Sequence, residues 1–447
     1  MDKNTIIGFV LIAAVLIGYG VWSQPSAEER VAMAKQDSIY NVVRQRAEFA
    51  RKEAQEKKLA EESNRAQDTT ALFYSSLKGK EEKIKLQNKS IEVTLNTKGG
   101  TPEKVVVKNF PDYKKNPNVT LFDKKDQSLK FILQAKETNV NTSNLYFTPS
   151  DVTDSTVTMT AIAGSGKDIT IKYTLGKDYM LHMEFLVSGM EGQFSPDYNM
   201  MDLNGSDRCR QQEKGFTFEN QHTCLTYHDV DGGTDELSST GEKINEIIEE
   251  RIDWVAFKNQ FFSAVMIAKN DFSDNSVLTS IPQQKGSGYL KQYEAKLKTF
   301  FDPSGKKASE FDFYFGPNDF RLLQRVEKEA GYDKELELQK LVYLGWPIIR
   351  IINRWFTIYV FDFLTSMNIN MGIVLILITL LLKFITYPLV KKSYMSSAKM
   401  RVLKPKLEEA TKQFNRPEDQ MQKQQAMMAE YAKYGVSPLS GCLPMLI

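Results

Sequence analysis

Three histidines and three cysteines are all that 447 residues contain. His182, His222 and His228 belong to no recognisable Ser/His/Asp arrangement, so the sequence offers no catalytic set of that kind. His222, Cys224 and His228 lie near one another, but their spacing matches no standard zinc pattern. No metal, no other cofactor and no enzymatic activity are expected. Bridging Cys209 to Cys224 would close a loop of about 16 residues and stabilise by roughly 3 kcal/mol in the loop-entropy model. That bridge requires the middle of the chain to lie outside the cytoplasm. Net charge is nearly absent too, with 58 Lys+Arg against 56 Asp+Glu. No basic patch with interleaved aromatics stands out, so a sequence-specific nucleic-acid partner is not expected.

The charge that exists is unevenly placed. Residues 371–447 hold eleven basic and five acidic residues, whereas residues 24–370 carry about −4. Two compartments explain this better than a nucleic-acid partner does. Residues 6–22 are an apolar run just long enough to span hydrocarbon. No small-x-small site follows directly; the nearest, Ala32-Met33-Ala34, is about ten residues too far on. An uncleaved signal anchor at residues 1–23 is therefore expected over a cleaved signal peptide. A second span covers residues 371–390, MGIVLILITLLLKFITYPLV. Lys391, Lys392, Lys399, Arg401, Lys404 and Lys406 follow it, and no basic residue lies within 15 positions before it. The positive-inside rule puts its C-terminal end and the chain's N-terminus in the cytoplasm. A third apolar stretch begins at Pro438 and is still running at Ile447, so a truncated third span is expected at residues 438–447.

Between the spans, residues 24–84 read as a charged helix or tether. Residues 85–318 switch to period two: SIEVTLNTKGG, ITIKYTL, YMLHMEFLVSG, FFSAVMIA and ASEFDFYFG alternate between turn signals. That pattern predicts a large antiparallel β-sandwich. Residues 319–340 read as a helix that closes the domain. Over residues 345–368, Ile348, Ile352, Trp355, Phe356, Tyr359, Phe363 and Met367 share one face, and Arg350, Asn353, Arg354, Thr357 and Thr365 the other. This predicts a helix in the outer membrane–water interface. A third spanning helix would have to bury two Arg, an Asn and an Asp. Residues 391–434 read as a helical hairpin, broken at Asn415-Arg416-Pro417. Its methionines, Met395 and Met400 among them, suit either an adaptable binding surface or a packing seam.

Lys383 is the one charge inside the second span. A charge there costs roughly 2.5–3.5 kcal/mol on insertion scales. It lies eight residues before Lys391, about 12 Å along a helix. It either snorkels towards the interface or serves a function.

The stretch LILITLLLKFITYPLVKKSYMSSAKMRVLKPKL, followed by SPLSGC at 437–442, closely resembles the YidC-type membrane protein insertases. IEVTLNTKGG at 91–100 and WVAFKNQFF at 254–262 resemble the periplasmic domain of the Gram-negative members. The resemblance implies an inner-membrane protein that inserts and folds other membrane proteins, alone or beside the Sec translocon. The expected fold is an α-helical insertase core, here partial, plus a large periplasmic antiparallel β-supersandwich over residues 85–340 that resembles mutarotases. The implied partners are nascent membrane proteins, the Sec translocon, the ribosome and the phospholipid bilayer. The resemblance also implies a hydrophilic groove in which Lys383 takes the place of the family's arginine and Thr379 that of a groove threonine. Lysine departs from the pattern: it keeps the charge but loses the bidentate fork. Two rival classes fit less well. A transporter would show further spans and repeats, and a sugar-binding sandwich would show converging His and carboxylates.

Overall fold

The computed structural model describes residues 72–136, 139–237, 243–345, 347–412 and 420–435. The anchor expected at 1–23, the linker up to residue 71, Cys442 and the apolar stretch at 438–447 lie outside them. The chain divides after Leu341 into two units.

Strand alternation builds the first unit. A four-stranded sheet contains β1 (Lys83–Gln87), β2 (Ile91–Asn96), β3 (Thr101–Val107) and β4 (Val119–Phe122) in sequence order. A larger sheet takes the remaining strands. They are β5 (Gln127–Gln134), β6 (Asn139–Asn141), β7 (Thr148–Ser150), β8 (Thr156–Gly164), β9 (Lys167–Leu175), β10 (Met180–Ser188) and β11 (Met200–Arg210). After these come β12 (Cys224–Asp229), β13 (Gly233–Glu236), β14 (Ile244–Ile248), β15 (Ile252–Lys258) and β16 (Phe262–Phe272). Last are β17 (Ser276–Pro282), β18 (Tyr289–Phe300) and β19 (Ser309–Pro317). The main path runs β6–β5–β11–β18–β16–β19–β10–β9–β8–β7. Every pairing is antiparallel, as hairpin-linked strands allow.

The core lies where the inward positions meet. On β10, Leu181, Met183, Phe185 and Val187 are buried, and the residues between them are not. Phe131 of β5 packs against Phe185 and Phe311, with ring centroids 5.1 and 5.7 Å apart. Each buried side chain of this size contributes roughly 1.5–3 kcal/mol over exposure. The core reaches back to Phe73, before the first strand. One tight turn depends on glycine: Gly305 has φ +72°, and a Cβ there would sit 2.0 Å from the Val187 carbonyl oxygen.

Cys209 and Cys224 are buried free thiols, so the possible bridge is not formed in this structure. Cys224 Sγ donates to Glu236 Oε2 at 2.9 Å, and Cys209 pairs in register with Lys291 of β18. Burial pushes both thiols up. His228 Nδ1 donates to Asp253 at 2.8 Å, and the imidazole stacks on Trp254.

Only the first half of the helix expected at 319–340 is helical. Asp319 caps α2 (Phe320–Ala330) by accepting from the Leu322 N–H at 2.7 Å; α1 is the short Phe216–Gln221 helix. Gly331, at φ +65°, then ends α2 in the left-handed region. Residues 332–341 become a strap across the large sheet. The Tyr332 hydroxyl donates to Asp312 of β19 at 2.7 Å. Lys334 pairs with Asp253 of β15 and Asp271 of β16. Trp254 Nε1 donates to the Leu336 carbonyl at 2.8 Å, and Lys258 Nζ to the Leu341 carbonyl at 3.2 Å. Glu327 of α2 accepts three strap N–H groups, from Leu336, Glu337 and Leu338. The quoted segment 254–262 thus supplies two of the side chains that hold the strap.

The second unit is helical. It contains α3 (Pro347–Ile352), a wide π-helical turn (Asn353–Thr357), α4 (Ile358–Ser366), α5 (Met371–Thr411) and α6 (Gln420–Lys433). Asn353 Nδ2 donates to the Leu344 carbonyl at 3.0 Å and anchors the entry. Asn368, at φ +59°, and the Asn370 side chain, which accepts from the Gly372 N–H at 2.9 Å, make the reversal into α5.

Candidate functional site

The site is built on α5, whose 41 residues run unbroken through Pro388 and Pro405. At 1.5 Å per residue the helix is about 60 Å long, roughly twice the hydrocarbon thickness of a bilayer. Residues Met371–Pro388 are long and apolar enough to cross a membrane. The rest carries the basic residues. One helix therefore serves as span and as first arm of the hairpin, where two segments were expected.

Its faces differ. Val374 and Ile378 are buried, and Leu382, Thr386, Ser393, Ser396, Met400, Leu403, Leu407 and Thr411 continue the same covered stripe at helical spacing. Thr379 and Lys383 are four residues apart on another side and are both exposed. Thr379 Oγ1 donates to the Leu375 carbonyl at 2.7 Å, so the hydroxyl is satisfied within its helix. Lys383 Nζ makes no hydrogen bond or ion pair to any described residue. Its immediate neighbours on the helix are exposed and apolar: Leu380, Phe384 and Tyr387. The result is a cation on an 18-residue apolar cylinder, with a hydroxyl one turn below it.

The segment expected at the interface, residues 345–368, presents a single apolar stripe. Ile351, Trp355, Tyr359, Phe363 and Met367 are all more than half exposed. Residues four apart drift forward by about 40° per step on an α-helix; the wide turn at 353–357 offsets that drift. Sequence periodicity alone missed this turn, because it assumes 3.6 residues throughout. Phe356 is half-buried, and Arg350 and Arg354 are exposed.

The hairpin separates the two roles proposed for methionine. Leu403 and Leu407 of α5 are buried against Met400, Met427 and Tyr431, so Met400 belongs to a packing seam. Met395, Met421 and Met428 are exposed. Lys391, Lys392, Lys399, Arg401, Lys404 and Lys406 are all exposed on the same arm. Lys406 Nζ reaches the Tyr434 hydroxyl at 2.9 Å, a bond that holds its ammonium above the usual range. Ser393 and Ser396 are buried polar residues that the sequence reading passed over. Their spacing with Met400 and Leu403 is the signal that places them on the covered stripe.

Residues 83–359 match the family model described as the YidC periplasmic domain, and residues 363–447 match that of the 60Kd inner membrane protein. The membrane protein insertase YidC of Phocaeicola vulgatus is 46% identical over 450 residues, covering 100% of this chain and 72% of that protein. The chain belongs to the YidC family of membrane protein insertases. The YidC of Bacteroides fragilis is 44% identical over 448 residues, again with 100% and 72% coverage. A crystal structure of an active YidC insertase with its first transmembrane domain resolved is 18% identical. It covers 83% of this chain and 69% of that one at a TM-score of 0.30.

YidC proteins are non-enzymatic proteins of the inner membrane. The sandwich is their periplasmic domain, and most of the helical unit falls within the match to the inner membrane protein. Membrane-protein substrates and lipid are what such a protein meets. Lipid contact gives the exposed apolar stripes of α4 and α5 a solvent in which exposure carries no penalty.

Proposed function

We propose that this chain inserts membrane proteins by offering Lys383 as a cation, within the bilayer, to acidic residues of the incoming segment. What supports this most is the exposed Lys383 inside the Met371–Pro388 span, in its C-terminal half. Acidic groups entering hydrocarbon alone pay a large desolvation cost, and a fixed cation in a wet groove offsets part of it. Thr379, one turn away, is the second groove residue in this reading. The groove takes residues 371–390 as one wall. Residues 345–368 lie in the outer interface through Trp355, Phe356 and Tyr359, with Arg350 and Arg354 towards the headgroups. The hairpin at 391–434 is cytoplasmic, and its exposed cations and Met395 form the surface offered to the ribosome and the Sec translocon. The N-terminus is cytoplasmic, residues 1–23 anchor the chain, 24–84 are linker and 85–340 fold outside.

The decisive experiment is insertion of a short membrane protein with an acidic outgoing tail, in membranes that contain variants of this chain. Lys383→Arg retains insertion, and Lys383→Ala lowers it about tenfold, the equivalent of one charge-assisted contact of about 1.4 kcal/mol. Lys383→Glu abolishes it. A photocrosslinker at residue 383 captures the nascent chain. Undiminished insertion by the Ala variant, with no crosslink, defeats the proposal and leaves a snorkelling lysine.

A further inference from the structure

Between Arg350 and Met367 the chain keeps a spacing that an α-helix does not. Ile351, Trp355, Tyr359, Phe363 and Met367 are each more than half exposed, and each lies four residues from the next. Arg350, Arg354, Asp362 and Ser366 are exposed as well, at intervals of four or twice four. Ile352, Phe356, Val360 and Leu364, again four apart, are half-buried. Every exposed position of residues 350–367 belongs to one of the first two rows. In an unbroken α-helix, steps of four advance by about 40°, so Met367 would stand about 160° round from Ile351. A row that winds so far cannot stay on one side of a helix.

The wide turn takes that rotation out. Across Asn353–Thr357 the Ile358 N–H donates to the Asn353 carbonyl, five residues back. A step of five in place of four absorbs one extra residue, the equivalent of about 100° of α-helical rotation. With that residue absorbed, the five apolar positions fall within about 80°, and the four polar positions form a band of about 60° beside them. Without it, the exposed side of α4 would be turned about 100° from the exposed side of α3. The turn thus joins two short helices into one surface with an aromatic row and a polar row. Its start is pinned by the Asn353 side chain, which donates to the Leu344 carbonyl at 3.0 Å.

A partner for this surface must be apolar along one row and anionic along the other, where Arg350 and Arg354 stand one turn apart. The Met371–Pro388 span begins four residues after Met367. Four chain steps reach at most about 14 Å, so the end of both rows is held at the membrane. A phospholipid surface offers an acyl boundary beside a layer of phosphates. We propose that the wide turn at Asn353–Thr357 is a register device that lets both rows meet phospholipid at once, the aromatic row at the acyl boundary and the arginines at the phosphates. This role rests on the interfacial placement proposed above for residues 345–368. It adds that the placement depends on one inserted residue and not on apolar content alone. Taking a residue out of the turn leaves a plain α-helix with both rows aligned; adding one turns α4 away from α3.

The test is photocrosslinking of the full chain in vesicles of phosphatidylethanolamine and phosphatidylglycerol, with one photoreactive residue at a time from 350 to 367. In wild type, adducts to the acyl chains peak at 351, 355, 359, 363 and 367, four residues apart throughout. Maxima that follow the plain α-helical period instead overturn the proposal. Two variants of opposite sense come next. Deleting Thr357, a half-buried residue of the turn, keeps the yields at Ile351 and Phe363 within about twofold of each other, because the rows stay aligned. Inserting one alanine after Thr357 leaves only one of the two positions crosslinked and lowers the other at least about fivefold, because α4 is turned by about 100°. Equal yields after the insertion, or a loss after the deletion as large as after the insertion, overturn the register role and leave the interfacial placement standing. Absence of acyl adducts at all five positions in wild type overturns both. Should a variant fail to fold, the wild-type scan still decides.

Discussion

In the sandwich, Trp254, Tyr293 and Phe311 are wholly buried; in the helical unit, Trp355, Tyr359 and Phe363 are more than half exposed. The charges follow the opposite rule. Asp253, Asp271 and Asp312 are each held by a named cation or hydroxyl, while Lys383 and the exposed cations Lys391, Lys392, Lys399 and Arg401 have no ion pair to a described residue. The same amino acids are thus used under two solvents. Water penalises an exposed aromatic and tolerates an exposed ion, so the sandwich hides the first and gives Asp253, Asp271 and Asp312 partners where it covers them. Lipid removes the first penalty, and the role proposed for Lys383 rests on its having no ion pair to a described residue.

The largest effect that could break this comparison is on stability. Phe311→Ala removes a ring buried among Phe131 and Phe272 and is expected to cost 3–5 kcal/mol, roughly, in the sandwich. Trp355→Ala is expected to shift the same near-UV melting transition by less than about 0.5 kcal/mol. Equal costs would mean that the Trp355 stripe is packed against protein and not offered to lipid. A smaller effect separates the two kinds of methionine position in the hairpin. Leu407→Ala opens the seam with Met427 and Tyr431, costing about 2 kcal/mol and speeding amide exchange in α6 about thirtyfold. Met421→Ala, on the exposed side, leaves exchange unchanged. Matching exchange rates in the two variants would remove the distinction between seam and surface. The tenfold loss expected at Lys383→Ala comes next in size.

Much of the sandwich was legible because period two is a direct consequence of strand geometry. YMLHMEFLVSG contains β10, ITIKYTL lies in β9 and FFSAVMIA runs into β16. Phe73 and the strap were not legible. Their partners lie far along the chain, as with the 82 residues between Trp254 and Leu336, and no local pattern reports such a contact. The helix expected at 319–340 failed at Gly331, a residue whose left-handed φ the reading did not weigh. The sequence left open whether Cys209 and Cys224 pair, and in the structure both are free thiols. In the helical unit, apolar length and flanking charge located the span that contains Lys383 and Thr379. They did not reveal that the same helix continues to Thr411, since the change from apolar to basic residues at Lys391 reads as a boundary between segments.

The smallest effect expected is also the one whose sign is most easily got wrong. His182 on β10 donates through Nδ1 to Asp312 at 2.7 Å, and Tyr332 of the strap donates to the same carboxylate. The bond to Asp312 raises His182 above its usual value although burial works against it. Burial opposes ionisation of Asp312, but the bonds from His182 and Tyr332 outweigh it and hold the acid low. A raised histidine stabilises fully below its unfolded value, near 6.5, and loses that contribution as pH climbs through its folded value. A depressed aspartate stabilises above its unfolded value, near 3.9, and loses that contribution as pH falls through its folded value. The pair is one interaction, so its window lies between the two, in mildly acidic to neutral solution. His182→Gln keeps a donor for Asp312 but cannot carry the charge. The variant should melt below wild type by the equivalent of about 1 kcal/mol at pH 6, and the gap should close towards pH 9. A gap that stays flat, or widens with pH, would show that the imidazole is held for its shape and that the charge on this face of the sandwich contributes nothing to anchoring the strap.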